Sequence, residues 1–327
     1  MSSSSFARLY EPDSAADQDP SGAMTLREFF RRCYAPLRLA GCKPGTRQQY
    51  EISLNHLGRC VGRDPILAEL TPELVTGCLA GLIDRGRSPA TANKYRAHLL
   101  ALWRYADRRG LVAAQPQLVE RFREPKHLPM AWRIEDVVKI LKAAAESPGD
   151  VEGIPAAIYW PVLLLTIYET GLRITPVMRL GRSQFDGPQK TIFIPADDQK
   201  QKADQLLDLS AETAEAVEHL LSLHGRDAIF PWPFDQTVPQ WPALTRGYRK
   251  ILCRAGLPTG RKDLFHRIRK TTASYIEAAG GNATWQLGHS SRSVTAVYLD
   301  PRICRRPRQV DLLPRPAAKL ARQLTLF

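Results

Sequence analysis

The chain has 327 residues, 44% of them apolar, and a formal charge of +13 at neutral pH from 46 Lys and Arg against 33 Asp and Glu. That length predicts two domains or one large one, with enough apolar material for a sizeable core. No run approaches about 18 consecutive apolar residues, so a transmembrane helix is not expected, and the positive excess points to a polyanion, nucleic acid first, ahead of a merely solvated basic surface.

Residues 1–22 are rich in Ser, Asp, Ala and Pro. Without a basic start or an apolar stretch they predict a disordered leader rather than a secretory signal. Residues 23–110 read as a helical domain. Leu26, Phe29, Phe30, Cys33 and Leu37 recur at helical spacing, and a second helix is expected from Thr46 to Val61. A third opens with Thr71 as N-cap and Pro72 in its first turn, and a fourth repeats the device with Ser88 and Pro89. Four short helices with short connections make a compact bundle. Its basic residues, Arg47, Lys94 and Arg96 among them, read singly as solvated helix surface and together as a face for DNA phosphates.

Residues 111–130 break the helical pattern with Pro116, Pro125 and Pro129, and carry Arg121, Arg123, Lys126 and His127. They read as a basic linker able to lie along a DNA backbone. A second domain is expected over residues 131–316. Its predicted elements are a helix from Ile134 to Ala145, a buried helix over Tyr159 to Tyr168, and strands at Thr191 to Pro195 and Gln205 to Leu209 forming a hairpin. Helices follow over Ala211 to Leu223, Trp241 to Ala255, Arg267 to Ala279 and Val294 to Leu299, with a Trp/Pro-rich loop from Pro231 to Pro242. The fold class is thus mainly α with one small antiparallel sheet. The six cysteines (Cys33, Cys42, Cys60, Cys78, Cys253, Cys304) include no Cys-x-x-Cys pair. That predicts free thiols in a reducing cytoplasm, with neither a zinc site nor a disulfide framework.

Four segments carry groups suited to one chemistry. They are Thr170-Gly171-Leu172-Arg173, Lys200 in the hairpin turn, His266-Arg267-Ile268-Arg269, and Leu287-Gly288-His289 followed nine residues on by Tyr298. Each alone has a bland reading: a helix-start arginine, a solvated lysine, a surface His/Arg pair, a core tyrosine. Together, in this order, they resemble the tyrosine recombinase or phage integrase family over about residues 24–316. "ETGLRITPVMRL" resembles the family's first arginine box, "IFIPADDQK" with "LLDLS" its strand–turn–strand lysine segment, and the stretch from "HRIRK" to "VYLDP" its second box.

The resemblance implies an N-terminal four-helix SAM-like core-binding domain, a mixed α+β catalytic domain, and together a C-shaped grip on duplex DNA. It implies cleavage and rejoining of DNA through a 3′-phosphotyrosyl intermediate, without metal, cofactor or ATP, by a dimer on each site and a tetramer in synapsis. Physical chemistry explains the residue types. Attack at phosphorus adds charge to non-bridging oxygens, and two guanidiniums, Arg173 and Arg269, present forked donors to it. A free phenol titrates near pH ~10, so a Tyr298 nucleophile needs a positive site or a base. His266 is a candidate proton acceptor or phosphate donor, and His289 a phosphate donor. Lys200 resembles the family's general acid for the 5′-oxygen, with Lys202 as runner-up. Lys202, Arg267, Lys270 and Lys126 are further candidate DNA contacts.

Three departures from the family pattern stand out. Pro176 replaces an acid, Arg267 replaces another, and the interval from Arg269 to His289 is a few residues short. Two rival readings keep the fold: a relaxing topoisomerase that forms the same adduct, and a DNA-binding protein without catalysis. A metal hydrolase using His266 and His289 lacks a carboxylate at ligand spacing. Residues 317–327 form a C-terminal tail. Gln323, Leu324, Leu326 and Phe327 resemble the pentapeptide by which bacterial proteins dock on the replication sliding clamp; the alternative is an apolar tail buried in cis or trans.

Overall fold

A computed structural model describes residues 24–112, 119–199, 201–233, 242–304 and 309–313. The leader expected over residues 1–22, Lys200, and the tail of residues 317–327 with its clamp-like pentapeptide lie outside the described residues. The chain divides into two compact units between Lys126 and His127.

The first unit is helical. Helix α1 (Leu26–Phe29) starts in a capping box, Thr25 accepting from the Glu28 amide and Glu28 reaching back to the Thr25 amide. A π-helical turn at Phe30–Tyr34 carries it into α2 (Ala35–Arg38). Helix α3 (Pro44–Val61) stops at Gly62, which adopts φ +84°. Helices α4 (Pro72–Asp84) and α5 (Pro89–Asp107) are capped by Thr71 and Ser88 and start on proline, as their sequences predict. Leu26, Phe29, Leu57, Leu79 and Trp103 fill the core. Phe30 stacks on Tyr50 and Tyr50 on His98, with centroid separations of 5.5 and 4.5 Å.

Two expectations for this unit change. Cys60 on α3 and Cys78 on α4 form a disulfide, with 5.7 Å between their Cα atoms. The two helices pack side by side, and nothing in the cysteine spacing announces that juxtaposition. The other four cysteines are free. The second change concerns residues 119–124, expected as linker. The Asn93 amide pairs with both backbone groups of Phe122, at 2.8 and 2.9 Å, and Arg96 Nε donates to the Val119 carbonyl at 2.9 Å.

In the second unit, α6 (Ile134–Ala145), α9 (Ala211–Ser222) and α11 (Phe265–Ala278) pack on α7 (Ala156–Thr170), whose Tyr159, Leu163 and Ile167 are fully buried. A small hairpin of β1 (Asp150–Val151) and β2 (Ile154–Pro155) precedes α7. The three-stranded antiparallel sheet has the order β3 (Phe185–Asp186), β4 (Thr191–Ile194), β5 (Gln205–Asp208). Ile192 faces Leu207 inside the fold while Phe193 and Leu206 are exposed, the two-residue alternation of a one-sided sheet. Helix α10 (Pro242–Arg254) seats Gly247 against Trp160, where a Cβ would collide with the indole. The unit is closed end to end by Asp300 Oδ2, which accepts from the Ala131 amide at 2.8 Å. No described helix is long and apolar enough to cross a membrane.

Candidate active site

The apolar run of α7 ends at Gly171, whose φ of +65° is the left-handed cap that glycine favours. Space demands glycine as well: a Cβ there would meet Leu287 Cδ2 at 2.8 Å and Thr272 Cγ2 at 3.2 Å. The turn delivers Arg173 to the start of the short helix α8 (Ile174–Val177), half-buried and, among the described residues, without a carboxylate partner. Pro176 falls inside α8, so the acid usual at that position is not supplied here.

Arg269 is 2% exposed on α11. Its Nη1 donates to the Gly171 carbonyl and its Nη2 to the Leu287 carbonyl at 2.8 Å, which brings the first arginine box and the Leu-Gly-His segment together. Its Nε has no partner among the described atoms. Burial first, then the charge of Arg173, pulls its pKa below the ordinary guanidinium range, but a guanidinium stays charged at neutral pH.

Helix α12 (Ala283–Gln286) leads into Gly288 and His289, which is 8% exposed. His289 Nε2 lies 3.0 Å from Arg269 Nη2, and Nδ1 lies 3.0 Å from Thr295 Oγ1. Thr295 is fully buried on α13 (Arg292–Ala296), and the turn after α13 carries Tyr298, 8% exposed. The Tyr298 ring centroid is 4.8 Å from that of His289, 5.0 Å from that of His266 and 5.5 Å from the Arg269 guanidinium carbon. Burial first, then the charges of Arg269 and Arg173, lowers the His289 pKa to about 4. His266 keeps solvent contact, so only its direction of shift matters: desolvation, then Lys270, Arg269 and Arg173, push it below the ordinary imidazole range. Both imidazoles are therefore neutral at pH 7 beside two guanidiniums.

Of the predicted site residues, His266, Arg269, His289 and Tyr298 gather in one place, and Arg173 is close enough for its charge to act on Arg269 and both imidazoles. Lys200 is outside the described residues, but its hairpin is anchored beside His289. Gln205 Nε2 donates to the Trp285 and Gln286 carbonyls at 3.0 Å each. Gln199, Gln205, Trp285, Gly288 and His289 line a common cavity of about 340 Å³.

The expected DNA contacts divide. Arg47, Lys94 and Lys126 are exposed, Lys94 bonding Gln49 at 2.8 Å. Lys202 is exposed and pairs with Asp197 at 2.9 Å, and Lys270 is half-buried near Tyr298. Arg96 is held at the Val119 carbonyl. Arg267 is corrected from a DNA contact to an interior residue. It pairs with Asp263 at 2.6 Å, donates to the Ala131 carbonyl at 3.1 Å, and lies over the Trp132 ring. Its position, two residues before Arg269 on a helix, turns it to the opposite side of α11. Thr295 escaped notice in the sequence, and Gly171 was read only as part of the first arginine segment, with no role of its own. Gly171 has a readable signal, glycine at a helix end, whereas Thr295 looks like any helical threonine.

The sequence profile of the Phage integrase family matches residues 133–303, just over half of the chain. The tyrosine recombinase XerC of Rhizobium meliloti (strain 1021) is 28% identical over 261 residues, covering 77% of this chain and 79% of that protein. The XerC of Mesorhizobium japonicum is 26% identical over 299 residues, covering 88% and 91%. A lambda integrase (residues 75–356) dimer, crystallised bound to a COC′ core site, superimposes with a TM-score of 0.69 at 20% identity, over 87% of this chain and 99% of that one. That last likeness is one of fold: mainly helical, with a small antiparallel sheet. From the match to its profile, the chain belongs to the phage integrase family.

Proposed function

We propose that this protein is a site-specific DNA recombinase that cuts and rejoins strands through Tyr298. The observation that carries this reading is the convergence of Arg269, His266 and His289 on the Tyr298 ring, with the charge of Arg173 felt at the same place. Such a pocket suits a phosphodiester, and a donor aimed at the charge that develops during attack is worth about 10²–10³ in rate. Tyr298 Oη bonds to phosphorus and the bond to the 5′-oxygen breaks. The phenol proton passes to an imidazole, and the leaving oxygen takes a proton from Lys200. The 3′-phosphotyrosyl ester conserves the bond energy, so rejoining needs no ATP, and positive side chains do the work of charge stabilisation.

In this reading the first unit holds duplex DNA through exposed cations such as Arg47, Lys94 and Lys126. Two chains occupy one site and four synapse two sites, in the cytoplasm where the DNA lies. The pentapeptide ending at Phe327 is a contact for the sliding clamp, tested by clamp pull-down with and without Gln323 to Phe327; equal capture removes it.

The deciding experiment uses a nicked suicide duplex carrying the cognate site, selected from DNA flanking the gene, and a denaturing gel. Wild type gives a covalent adduct without Mg²⁺ or ATP, and Tyr298→Phe gives none. An adduct persisting in that variant moves the nucleophile elsewhere. Relaxation of any supercoil, with no defined site recombined, selects the topoisomerase reading.

A further inference from the structure

Helices α3, α4 and α5 of the first unit enclose a cavity of about 550 Å³, whose wall includes Cys60, Arg59, Arg85 and Arg87. Local sequence explains the gathering. Arg59 stands in the last turn of α3 and Arg85 caps the end of α4, where the carbonyl ends of helices favour cations. Gly86, at φ +77°, makes the sharp turn that carries Arg87 toward α5. All three arginines are exposed, and none of their side chains has an ion pair or hydrogen bond among the described residues. No carboxylate lies in the described wall. Helix ends account for two of these cations singly. Three around one hollow, with no counter-charge, suit an anion. The same hollow opens on the disulfide between α3 and α4, and its two sulfurs are unequally placed. Cys60 is exposed and lines the cavity, whereas Cys78 is 2% exposed. A thiolate that enters the cavity meets Cys60 and finds Cys78 shielded.

We propose that this cavity is a thiol–disulfide exchange site for a small anionic thiol or its disulfide. Cys60 is the exchanging sulfur, Cys78 its partner, and Arg59, Arg85 and Arg87 attract the carboxylates of the incoming molecule. In the reducing direction the incoming thiolate bonds to Cys60 Sγ. The electron pair of the S–S bond leaves on Cys78 Sγ, which takes up the proton that the incoming thiol gave up. A second thiol attacks the outer sulfur of the mixed disulfide, and Cys60 leaves as a thiolate. One protein disulfide and two small thiols thus become two protein thiols and one small disulfide, with two electrons passing to the protein. In the oxidising direction the guanidiniums favour the Cys60 thiolate, which attacks the small disulfide, and Cys78 resolves the mixed disulfide. The volume is in the ordinary range for small-molecule sites, about 300–1,000 Å³. Reduction uncouples α3 from α4, so the site sets the rigidity of the first unit by thiol supply. It makes no use of Tyr298 and stands apart from the recombinase reading.

The test compares two thiols of opposite charge on the full chain: glutathione, net negative at neutral pH, and cysteamine, net positive. Loss of the bridge is followed by acid quench, alkylation and peptide mapping. Each rate is normalised to that of the same thiol on a linear peptide disulfide. Glutathione should be favoured by roughly 10- to 100-fold, and salt at ~1 M should remove most of the preference without any mutation. Arg59→Gln combined with Arg85→Gln and Arg87→Gln should remove it at low salt. Given glutathione disulfide, native Cys78→Ser should carry the tripeptide on Cys60, and native Cys60→Ser should leave Cys78 unmodified. Equal normalised rates in wild type overturn the proposal. So does a mixed disulfide on Cys78 in Cys60→Ser. A preference that survives in the triple variant overturns it too, and if that variant also binds random-sequence duplex less tightly, the cavity belongs to DNA phosphates. Should wild type form no adduct at Tyr298, the recombinase reading fails, while every outcome named here, read without a cognate site, keeps its meaning.

Discussion

The guanidinium of Arg267 lies over the indole of Trp132, 3.5 Å from the ring centroid, and pairs with Asp263 at its far edge. Both charges are largely shielded from water. Removing one partner of such a pair leaves the other uncompensated and costs about 3–5 kcal/mol, whereas replacing both by apolar groups is far milder. Arg267→Met should lower urea stability of the second unit by ~3 kcal/mol, and Arg267→Met with Asp263→Leu should recover most of it. The salt dependence of DNA binding should not change, because the residue offers no phosphate contact; a shallower slope would return it to the DNA surface.

Gly171 joins the fold to the chemistry. Alanine there meets a left-handed φ and a methyl group of Leu287 at 2.8 Å. Gly171→Ala should cost roughly 1–3 kcal/mol through strain and overpacking. The Gly171 and Leu287 carbonyls both hold Arg269, so adduct formation should drop further than stability explains. Adduct rates measured where the variant is still fully folded check this.

His289 titrates near 4 in the folded chain, against about 6.5 when unfolded. Between those values the unfolded chain binds more protons, so stability falls as pH drops through the window and is complete above it. His266 shifts the same way. Unfolding free energies measured from pH 4 to 7 should show a slope that His289→Asn reduces. Proton NMR should show both rings neutral at pH 6, and a bound duplex should raise both titrations, since phosphate offsets the guanidinium charges.

The bridge between Cys60 and Cys78 closes a span of 18 residues across α3 and α4. Loops of about this size gain ~3 kcal/mol from a cross-link by the chain-entropy argument. Reductant should therefore lower the unfolding temperature of the first unit, and alkylation of unfolded, unreduced protein should label four thiols. Labelling of all six without reductant would show the bridge absent.

What the sequence disclosed follows from the range of the physics involved. Thr71 and Ser88 mark their helix starts because capping is settled within three residues, and the alternation at Ile192 and Leu207 marks the hairpin for the same reason. Arg173, Arg269, His289 and Tyr298 were legible only as spaced motifs resembling a family. Their convergence depends on contacts such as Gly171 to Arg269, which no local pattern encodes. The inward turn of Arg267, the pairing of Cys60 with Cys78 and the hold of Thr295 on His289 are likewise products of packing between distant segments.

Asp300, two residues beyond Tyr298, grips the Ala131 amide at the opposite end of the second unit. A nascent chain therefore exposes Tyr298, the proposed nucleophile, and its clasp from the ribosome almost together, after the other proposed site residues have emerged. Long-range closures of this kind form late in folding. A chain stalled before Tyr298 has neither the clasp that fastens the second unit nor the proposed nucleophile, so truncation there removes both at once.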